Sequence, residues 1–220
     1  MTDQHETILG PPGTGKTQTN SNRIRDCLEQ GIAPDRIACV SFTKKAAKES
    51  RERVCHDWGI NEKDLPYFQT LHSMAFQQGG YTTDDVISTK DLKEIGDAVG
   101  IPFSGKSKGD AESDFDMMSS ARGDFYGPDI EALFVDEAQD LSTLQWSMVD
   151  ILRQSPRIQV FTGDDDQAIM GFQGADVGAF MRATEKKTVL HQSYRLPRVV
   201  WAEAQKIVSR IEDRAPKEWR

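Results

Sequence analysis

The fold of this chain is decided near its start, by the stretch Gly10-Pro11-Pro12-Gly13-Thr14-Gly15-Lys16-Thr17. It fits the pattern G-x-x-x-x-G-K-[ST], in which backbone N–H groups turn inward around phosphates at the start of a helix. An apolar run at residues 7–9 precedes it, and a helical pattern follows it. We therefore predict a phosphate-binding loop in which Lys16 contacts the β- and γ-phosphates and the Thr17 hydroxyl binds Mg²⁺.

Short apolar runs alternate with helical patterns outward from this loop. They predict strands over residues 7–9, 36–42, 130–135, 157–161 and 188–190, and helices over residues 16–30, 43–58 and 141–153. Strands alternating with helices are typical of a parallel sheet covered on both faces. The predicted fold class is therefore α/β, a P-loop NTPase sheet with helices on both faces.

Residues 77–126 interrupt this alternation. Between residues 77 and 125 there are ten acidic and five basic side chains, and the Gly-, Ser- and Asp-rich stretch 104–124 offers little to bury. We predict a small inserted accessory subdomain with a mobile acidic loop and a short helix at 92–99. We interpret the loop as a solvated connector rather than a functional segment. The main domain would then comprise residues 1–76 and 127–220.

Composition excludes several classes of protein. No apolar run approaches the roughly 18 residues of a membrane span, and the polar start does not resemble a signal peptide. The three cysteines lack metal-ligand spacing, so we expect reduced thiols in a cytoplasmic protein. The net charge is −8, but residues 44–53 carry five basic and two acidic side chains. Because salt screens distant charges, this local excess of basic residues governs a contact more than the net charge does. The net charge therefore does not exclude a nucleic-acid partner.

An acidic pair follows the third predicted strand. Asp136 and Glu137 come directly after the apolar run Leu133-Phe134-Val135. Alone, such a pair equally fits a helix N-cap; beside a phosphate-binding loop it predicts nucleotide hydrolysis. Asp136 would then hold the water shell of the metal, and Glu137 would orient and deprotonate the attacking water.

A polar cluster follows the fourth predicted strand, in the order Gly163-Asp164-Asp165-Asp166-Gln167. A strand end beside a nucleotide is the expected place for a group that senses the γ-phosphate. Gln167 suits this role because its amide donates to phosphate or water without titrating. The three adjacent aspartates leave a second metal site open as an alternative.

Six ordered strings carry a family resemblance. They are the phosphate loop, Val40-Ser41-Phe42-Thr43-Lys44-Lys45-Ala46-Ala47, Thr70-Leu71-His72-Ser73, Asp136-Glu137-Ala138-Gln139-Asp140, the stretch from Gly163 to Ala175, and Gln192-Ser193-Tyr194-Arg195. Together they resemble the first RecA-like motor domain of superfamily 1 DNA helicases of the UvrD, Rep and PcrA type. The resemblance covers most of the chain outside the insertion, and such helicases carry an accessory subdomain at the same point.

The resemblance implies further site residues. Arg195 matches an arginine that contacts the γ-phosphate, a role that suits a guanidinium. Phe42, Thr43 and His72 match positions that touch single-stranded DNA by stacking and backbone contacts. For Phe42 alone, a place in the core at a strand end would be the simpler interpretation, and the surrounding motif favours DNA.

Three departures from the family pattern concern DNA and nucleotide contacts. Where the family has Tyr and then Trp-Arg, this chain has Met170, Phe172 and Gln173, so only Phe172 keeps an aromatic face for stacking. The upstream glutamine that contacts adenine in the family has no match here. The 25 residues after Arg195 are too few for a second RecA-like domain. We therefore expect such a domain to come from a longer chain, in cis, or from a partner, in trans.

The resemblance implies a motor domain that binds and hydrolyses ATP with Mg²⁺ and contacts single-stranded DNA, in repair, recombination or replication. Without its second domain, the chain is expected to hydrolyse ATP slowly. The alternative is a nucleotide-binding module that binds DNA or protein without motor activity. A small-molecule kinase is disfavoured, because the acidic string and Gln167 are not what an acceptor site requires.

Overall fold

The computed structural model describes residues 3–78, 127–211 and 214–218. Its six strands are β1 (Gln4–Leu9), β2 (Ile37–Ser41), β3 (Phe68–Gln69), β4 (Ala132–Asp136), β5 (Ile158–Gly163) and β6 (Lys187–Val189). Its α-helices are α1 (Lys16–Glu29), α2 (Lys44–Trp58), α3 (Leu71–Gln78), α4 (Thr143–Leu152), α5 (Val177–Arg182) and α6 (Arg198–Val208). Short 3-10 turns connect several of these elements.

The six strands form one sheet in the order β3-β2-β4-β5-β1-β6, and every pairing is parallel. Parallel strands need long crossover connections, and helices supply most of them here. The predicted α/β sheet of P-loop NTPase type is thereby confirmed. All carboxyl ends meet at one edge, with Leu9 beside Gly163 and Ser41 beside Asp136.

Side chains alternate between the two faces of the sheet, as a strand period of two requires. In β4, Leu133 and Val135 belong to one buried cluster, whereas Ala132 and Phe134 belong to the other. Every residue of β2, β4 and β5 is buried. These strands are therefore covered on both faces, and most of their residues are apolar, as expected for the centre of a parallel sheet.

Helices from different parts of the chain cover the two faces. Ile24 of α1 and Val54 of α2 pack into the cluster that contains Phe134. Met74 of α3, Val149 of α4 and Phe180 of α5 pack into the opposite cluster. The site at the carboxyl edge of the strands is thus supported by two separate layers of apolar side chains.

The strand boundaries differ from prediction where polar residues hide a strand. β1 begins at Gln4 instead of residue 7, because the carboxylate of Glu6 is buried in ion pairing with Arg23 at 3.1 Å. β3 is two residues long and leaves no periodic signal.

The predicted helix at 141–153 begins later, at Thr143. Ser142 caps it in a reciprocal capping box with Gln145, which holds Ser142 itself in an extended conformation. The helices α3, α5 and α6 were not predicted, and α5 is only six residues long.

The predicted insertion at 77–126 is not assessed by the structure. Residues 77 and 78 end α3, and the rest of the segment, with the helix predicted at 92–99, lies outside the described ranges. Within those ranges, no helix combines the length and the apolar character needed to cross a membrane.

We predict that Phe134→Ala lowers the free energy of unfolding by about 3–5 kcal/mol, because the ring is fully buried in the central strand β4 and its loss leaves a cavity. Urea denaturation measures this change. Val200→Ala on α6 is the control, since Val200 is 51% exposed and should change stability by only about 0.5 kcal/mol. Equal effects of both substitutions would contradict the assigned core.

Candidate active site

The loop between β1 and α1 has the backbone geometry that phosphate binding requires. Gly13 and Gly15 adopt left-handed conformations, with φ of +76° and +85°. A Cβ on Gly10 would come within 2.5 Å of Thr14 Oγ1, which itself donates to the Pro11 carbonyl at 2.8 Å. No described side chain caps the start of α1. The first N–H groups of α1 therefore stay available to an anion at the positive end of the helix dipole.

Lys16 lies over this loop with little exposure to solvent. Its side chain bends back, so that Nζ donates to the carbonyl of Gly10 at 2.8 Å, and the residue is 8% exposed. The neighbouring Thr17 is exposed at the second position of α1. A buried ammonium next to unpaired N–H groups makes this loop a site of positive potential, matched to phosphate.

Asp136 ends β4 next to the first turns of α1. The Thr162 hydroxyl on β5 donates to Asp136 Oδ1 at 2.6 Å and accepts from Asn20 Nδ2 at 2.9 Å. Asn20 lies one turn beyond Lys16 on α1. Burial raises the pKa of Asp136, while the Thr162 hydrogen bond and the charge of Lys16 act against this shift. The lysine and the carboxylate are thus within electrostatic range of each other.

Glu137 has a backbone conformation that side chains rarely adopt. Its φ of +51° is the one positive value for a non-glycine residue in the described ranges. Such strain persists where neighbouring contacts over-determine a position, as at active sites. Buried Gln139 makes one such contact, because its Nε2 donates to Glu137 Oε2 at 3.0 Å.

Gln139 connects the acidic pair to the loop after β5. Its Oε1 accepts the backbone N–H of Asp164 at 3.0 Å, while its Nε2 holds Glu137. A Cβ on Gly163 would lie 2.3 Å from that same Oε1, so the contact requires glycine. Sequence reasoning missed this residue. The signal in the sequence was the position of this amide side chain, two residues after Glu137, in a stretch where only the acidic residues had been assigned roles.

The loop after β5 contains Gln167 and the three aspartates. The Gln167 Nε2 donates to Asp164 Oδ2, and the Asp166 N–H donates to Asp164 Oδ1 at 3.2 Å. The carboxylates of Asp164, Asp165 and Asp166 surround the ammonium of Lys217. Among the described residues, no group of three or more acidic, His or Cys side chains could hold a metal ion. In this part of the chain, then, the aspartates contact a cation of the protein itself.

Arg195 reaches the phosphate loop through the connection that follows β6. The Tyr194 N–H donates to the Gly13 carbonyl at 2.9 Å, and the Ser193 hydroxyl donates to the Pro12 carbonyl at 2.9 Å. A Cβ on Gly13 would lie 2.4 Å from the Cβ of Arg195. This connection therefore packs directly on the loop, with Arg195 exposed and Tyr194 83% exposed.

The residues predicted to contact DNA differ in their surroundings. Phe42, just after β2, is partly buried and packs against the core. The Thr43 hydroxyl caps α2 by accepting the Ala46 N–H at 3.1 Å. The side chains of His72 in α3 and Phe172 in the 3-10 turn Met170–Gln173 lie outside what the structure describes.

Comparison with known proteins identifies the family. A family model described as "AAA domain" matches residues 1–173. The chain belongs to this AAA domain family. Together with its relatives, this confirms the predicted grouping with the first motor domain of UvrD/Rep/PcrA-type superfamily 1 helicases.

Two relatives are described as ATP-dependent DNA helicase PcrA. The protein from Staphylococcus epidermidis is 24% identical, and that from Staphylococcus aureus is 23% identical. Each match covers 96% of this chain and 38% of the relative, so this chain spans well under half the length of either helicase.

Two solved structures are also similar. The Pif1 helicase from Candida albicans has a TM-score of 0.45 and 16% identity, covering 87% of this chain and 37% of that one. The Hef helicase domain from Pyrococcus furiosus has a TM-score of 0.44 and 11% identity, covering 90% of this chain and 36% of that one.

A pH dependence follows from Asp140, beside the acidic pair. Burial, with the nearby charge of Glu137, raises the pKa of Asp140 to about 6. The folded state then binds this proton more tightly than the unfolded state, so stability falls as pH rises from about 4 through about 6. Asp140→Asn should remove the loss, and because solvent screens part of this charge the variant should be only about 1 kcal/mol more stable at pH 7.

Thermal unfolding at both ends of this pH range measures the effect. The difference between wild type and Asp140→Asn should grow with pH, whereas Asp150→Asn, on the exposed side of α4 with a 66% exposed side chain, should track wild type. A constant difference across the range would show that Asp140 does not titrate as described.

Proposed function

We propose that this chain binds Mg-ATP and hydrolyses it as the first motor domain of a DNA helicase or translocase. The observation that carries the proposal is the hydrogen-bonded series from Asn20 through Thr162 to Asp136, which joins the helix of the phosphate loop to the acidic strand end. One bound triphosphate would meet both. The proposal is also supported by the two relatives that are described as ATP-dependent DNA helicase PcrA.

Binding of the triphosphate would use the phosphate loop and two cations, Lys16 and Arg195. Backbone N–H groups at the start of α1 would receive the phosphate oxygens, and Lys16 would exchange its bond to the Gly10 carbonyl for a charge-assisted one. Arg195 would approach the terminal phosphate from the connection packed on Gly13. The exposed Tyr194 ring, fixed by its backbone to the same glycine, offers a face on which a purine base would stack.

The residues around Asp136 fit Mg²⁺. The Asp136 carboxylate and the Thr17 hydroxyl are oxygen ligands of the kind this ion prefers. Ser41 lies beside Asp136 in the strand register, and its buried hydroxyl has no hydrogen-bond partner among the described residues, so it would bond to a water of the metal shell. When bound, Mg²⁺ would offset negative charge on the β- and γ-phosphates.

Hydrolysis would need a water placed in line with the γ-phosphate. Glu137 would orient this water and accept its proton as the oxygen attacks phosphorus, with ADP leaving on the opposite side. The bond from Gln139 would hold the carboxylate in place. Gln167 would contact the γ-phosphate, and Arg195 would stabilise the charge that develops during transfer.

Single-stranded DNA would cross the same edge of the sheet near Phe42 and the start of α2. The helix begins with Lys44 and Lys45, both exposed, which would attract the phosphate backbone. Phe42 would stack on a base, and Thr43, whose hydroxyl already caps α2, would contribute through its backbone or its remaining lone pair. His72 and Phe172 complete the proposed set of DNA contacts.

We predict a division of roles between Lys16 and Glu137. Lys16→Ala should mainly weaken nucleotide binding, because it removes a charge that faces the phosphates. Glu137→Gln should leave binding intact and reduce single-turnover hydrolysis by about 10²–10⁴-fold, since only the base is lost. Fluorescent-nucleotide titration and rapid-quench assays measure the two effects.

Glu203→Gln, on the exposed surface of α6, is the control for the second substitution. Equal losses of nucleotide affinity in both site variants would contradict the roles assigned. Nucleotide binding by wild type without any turnover, with or without single-stranded DNA, would favour the binding-module alternative.

We predict that Phe42→Ala weakens single-stranded DNA binding by about 1–3 kcal/mol with little effect on ATP affinity, because it removes a stacking surface. His72→Ala should act in the same direction. Fluorescence anisotropy with a labelled oligonucleotide measures affinity, and thermal unfolding is measured in parallel. Unchanged DNA affinity combined with a lower melting temperature would show that Phe42 serves only the core.

A further inference from the structure

Residues 214–218, beyond α6, lie across the two loops that carry the proposed γ-phosphate contacts. The Ala215 N–H donates to Asp165 Oδ2 at 2.7 Å, in the loop that contains Gln167. The Glu218 N–H donates to His191 Nδ1 at 3.1 Å, four residues before Arg195. This segment therefore bridges the connections that follow β5 and β6.

Lys217 is the centre of this contact. Its side chain is fully buried, and Nζ lies 2.8 Å from Asp164 Oδ1 and 2.9 Å from Asp166 Oδ2, with Asp165 as a third partner. Arg214 adds a second cation, which donates to both oxygens of Asp166 at 2.8 and 2.6 Å. Two cations thus face three adjacent carboxylates.

The balance of charges keeps Lys217 protonated. Burial alone would lower its pKa, but the carboxylates, Asp164 foremost, reverse this and raise the pKa above its usual value. Without the ammonium, three carboxylates on consecutive residues would repel one another in a buried site. Buried charges that lose their partner force the surrounding structure to move or to take up water.

Asp164 transmits this arrangement to the proposed catalytic groups. Its Oδ2 accepts one N–H of the Gln167 amide, which leaves the second N–H of Nε2 as the donor for a phosphate oxygen. Its backbone N–H donates to Gln139, which holds Glu137. Lys217 is therefore one hydrogen-bonded step from Asp164 and two from Gln167.

We propose that Lys217, supported by Arg214, is a positioning residue for the γ-phosphate site. By neutralising Asp164, Asp165 and Asp166, it fixes the Gln167 amide in the orientation that distinguishes ATP from ADP. This inference rests on the proposed function, because it assigns a role within that same site. If the ion cluster were purely structural, loss of Lys217 would change stability alone. If Lys217 positions Gln167, its loss also changes nucleotide discrimination and the rate of hydrolysis.

The test compares affinities for ADP and for a non-hydrolysable ATP analogue, together with single-turnover hydrolysis of ATP. Lys217→Met removes the charge at similar length. We expect ADP affinity to stay within about twofold, while analogue affinity and the hydrolysis rate fall by roughly 10–100-fold, the range for misplaced catalytic groups. Lys206→Met, which breaks an exposed ion pair with Glu203, should behave as wild type.

A second comparison separates positioning from general destabilisation. In a Gln167→Ala background, Lys217→Met should cost little further analogue affinity if Lys217 acts through Gln167. The same fold loss in both backgrounds would overturn the inference, as would a folded Lys217→Met variant with an unchanged ratio of analogue to ADP affinity.

Arg214→Ala keeps the proposal testable if Lys217→Met does not fold. It removes the less buried cation and leaves Lys217 in place, so the same ratio should fall by a smaller factor. An unchanged ratio in folded Arg214→Ala, with Lys217→Met unfolded, would show that the cluster serves stability alone. If wild type bound neither nucleotide, the proposed function would fail, and this inference with it.

Discussion

The parallel register of β1, β5 and β4 is the constraint on which the site depends. It sets Leu9 beside Gly163 and Val135 beside Phe161, so that the residues following each strand emerge at one edge. The Gly10 N–H donates to the Gly163 carbonyl at 3.2 Å, which extends the pairing into the phosphate loop. A slip of one residue would turn Thr162 away from Asp136 and separate the two halves of the site.

Much of this arrangement follows from local sequence patterns. The phosphate loop and the apolar run before Asp136 each report on their own strand and turn, so the sequence predicted them with nearly correct boundaries. The resemblance assigned Arg195 to the γ-phosphate, which stays a prediction, and the structure shows this residue packed against Gly13 of the phosphate loop. Strand ends in a parallel sheet converge, so positions after strands were sufficient to predict a common edge.

Contacts between residues distant in sequence were not predictable in this way. Nothing around Lys217 marks it as buried, because lysine is ordinarily exposed, and its three partners lie about fifty residues away. Glu6 is a similar case, since its polarity hides the first half of β1, residues 4–6, until Arg23 is known to pair with it. Both are buried charges whose opposite charge comes from another part of the chain. Local sequence patterns do not show which distant residues form such pairs.

The left-handed backbone of Glu137 sets stability against activity at one position. Only glycine adopts this conformation without strain, and holding another residue there costs on the order of 1–3 kcal/mol. Selection for stability alone would therefore favour glycine at residue 137, the position proposed to supply the base. Screens that enrich thermostable variants of this domain should accumulate inactive ones at this residue, and stabilising changes for engineering are better sought away from the carboxyl edge of the sheet.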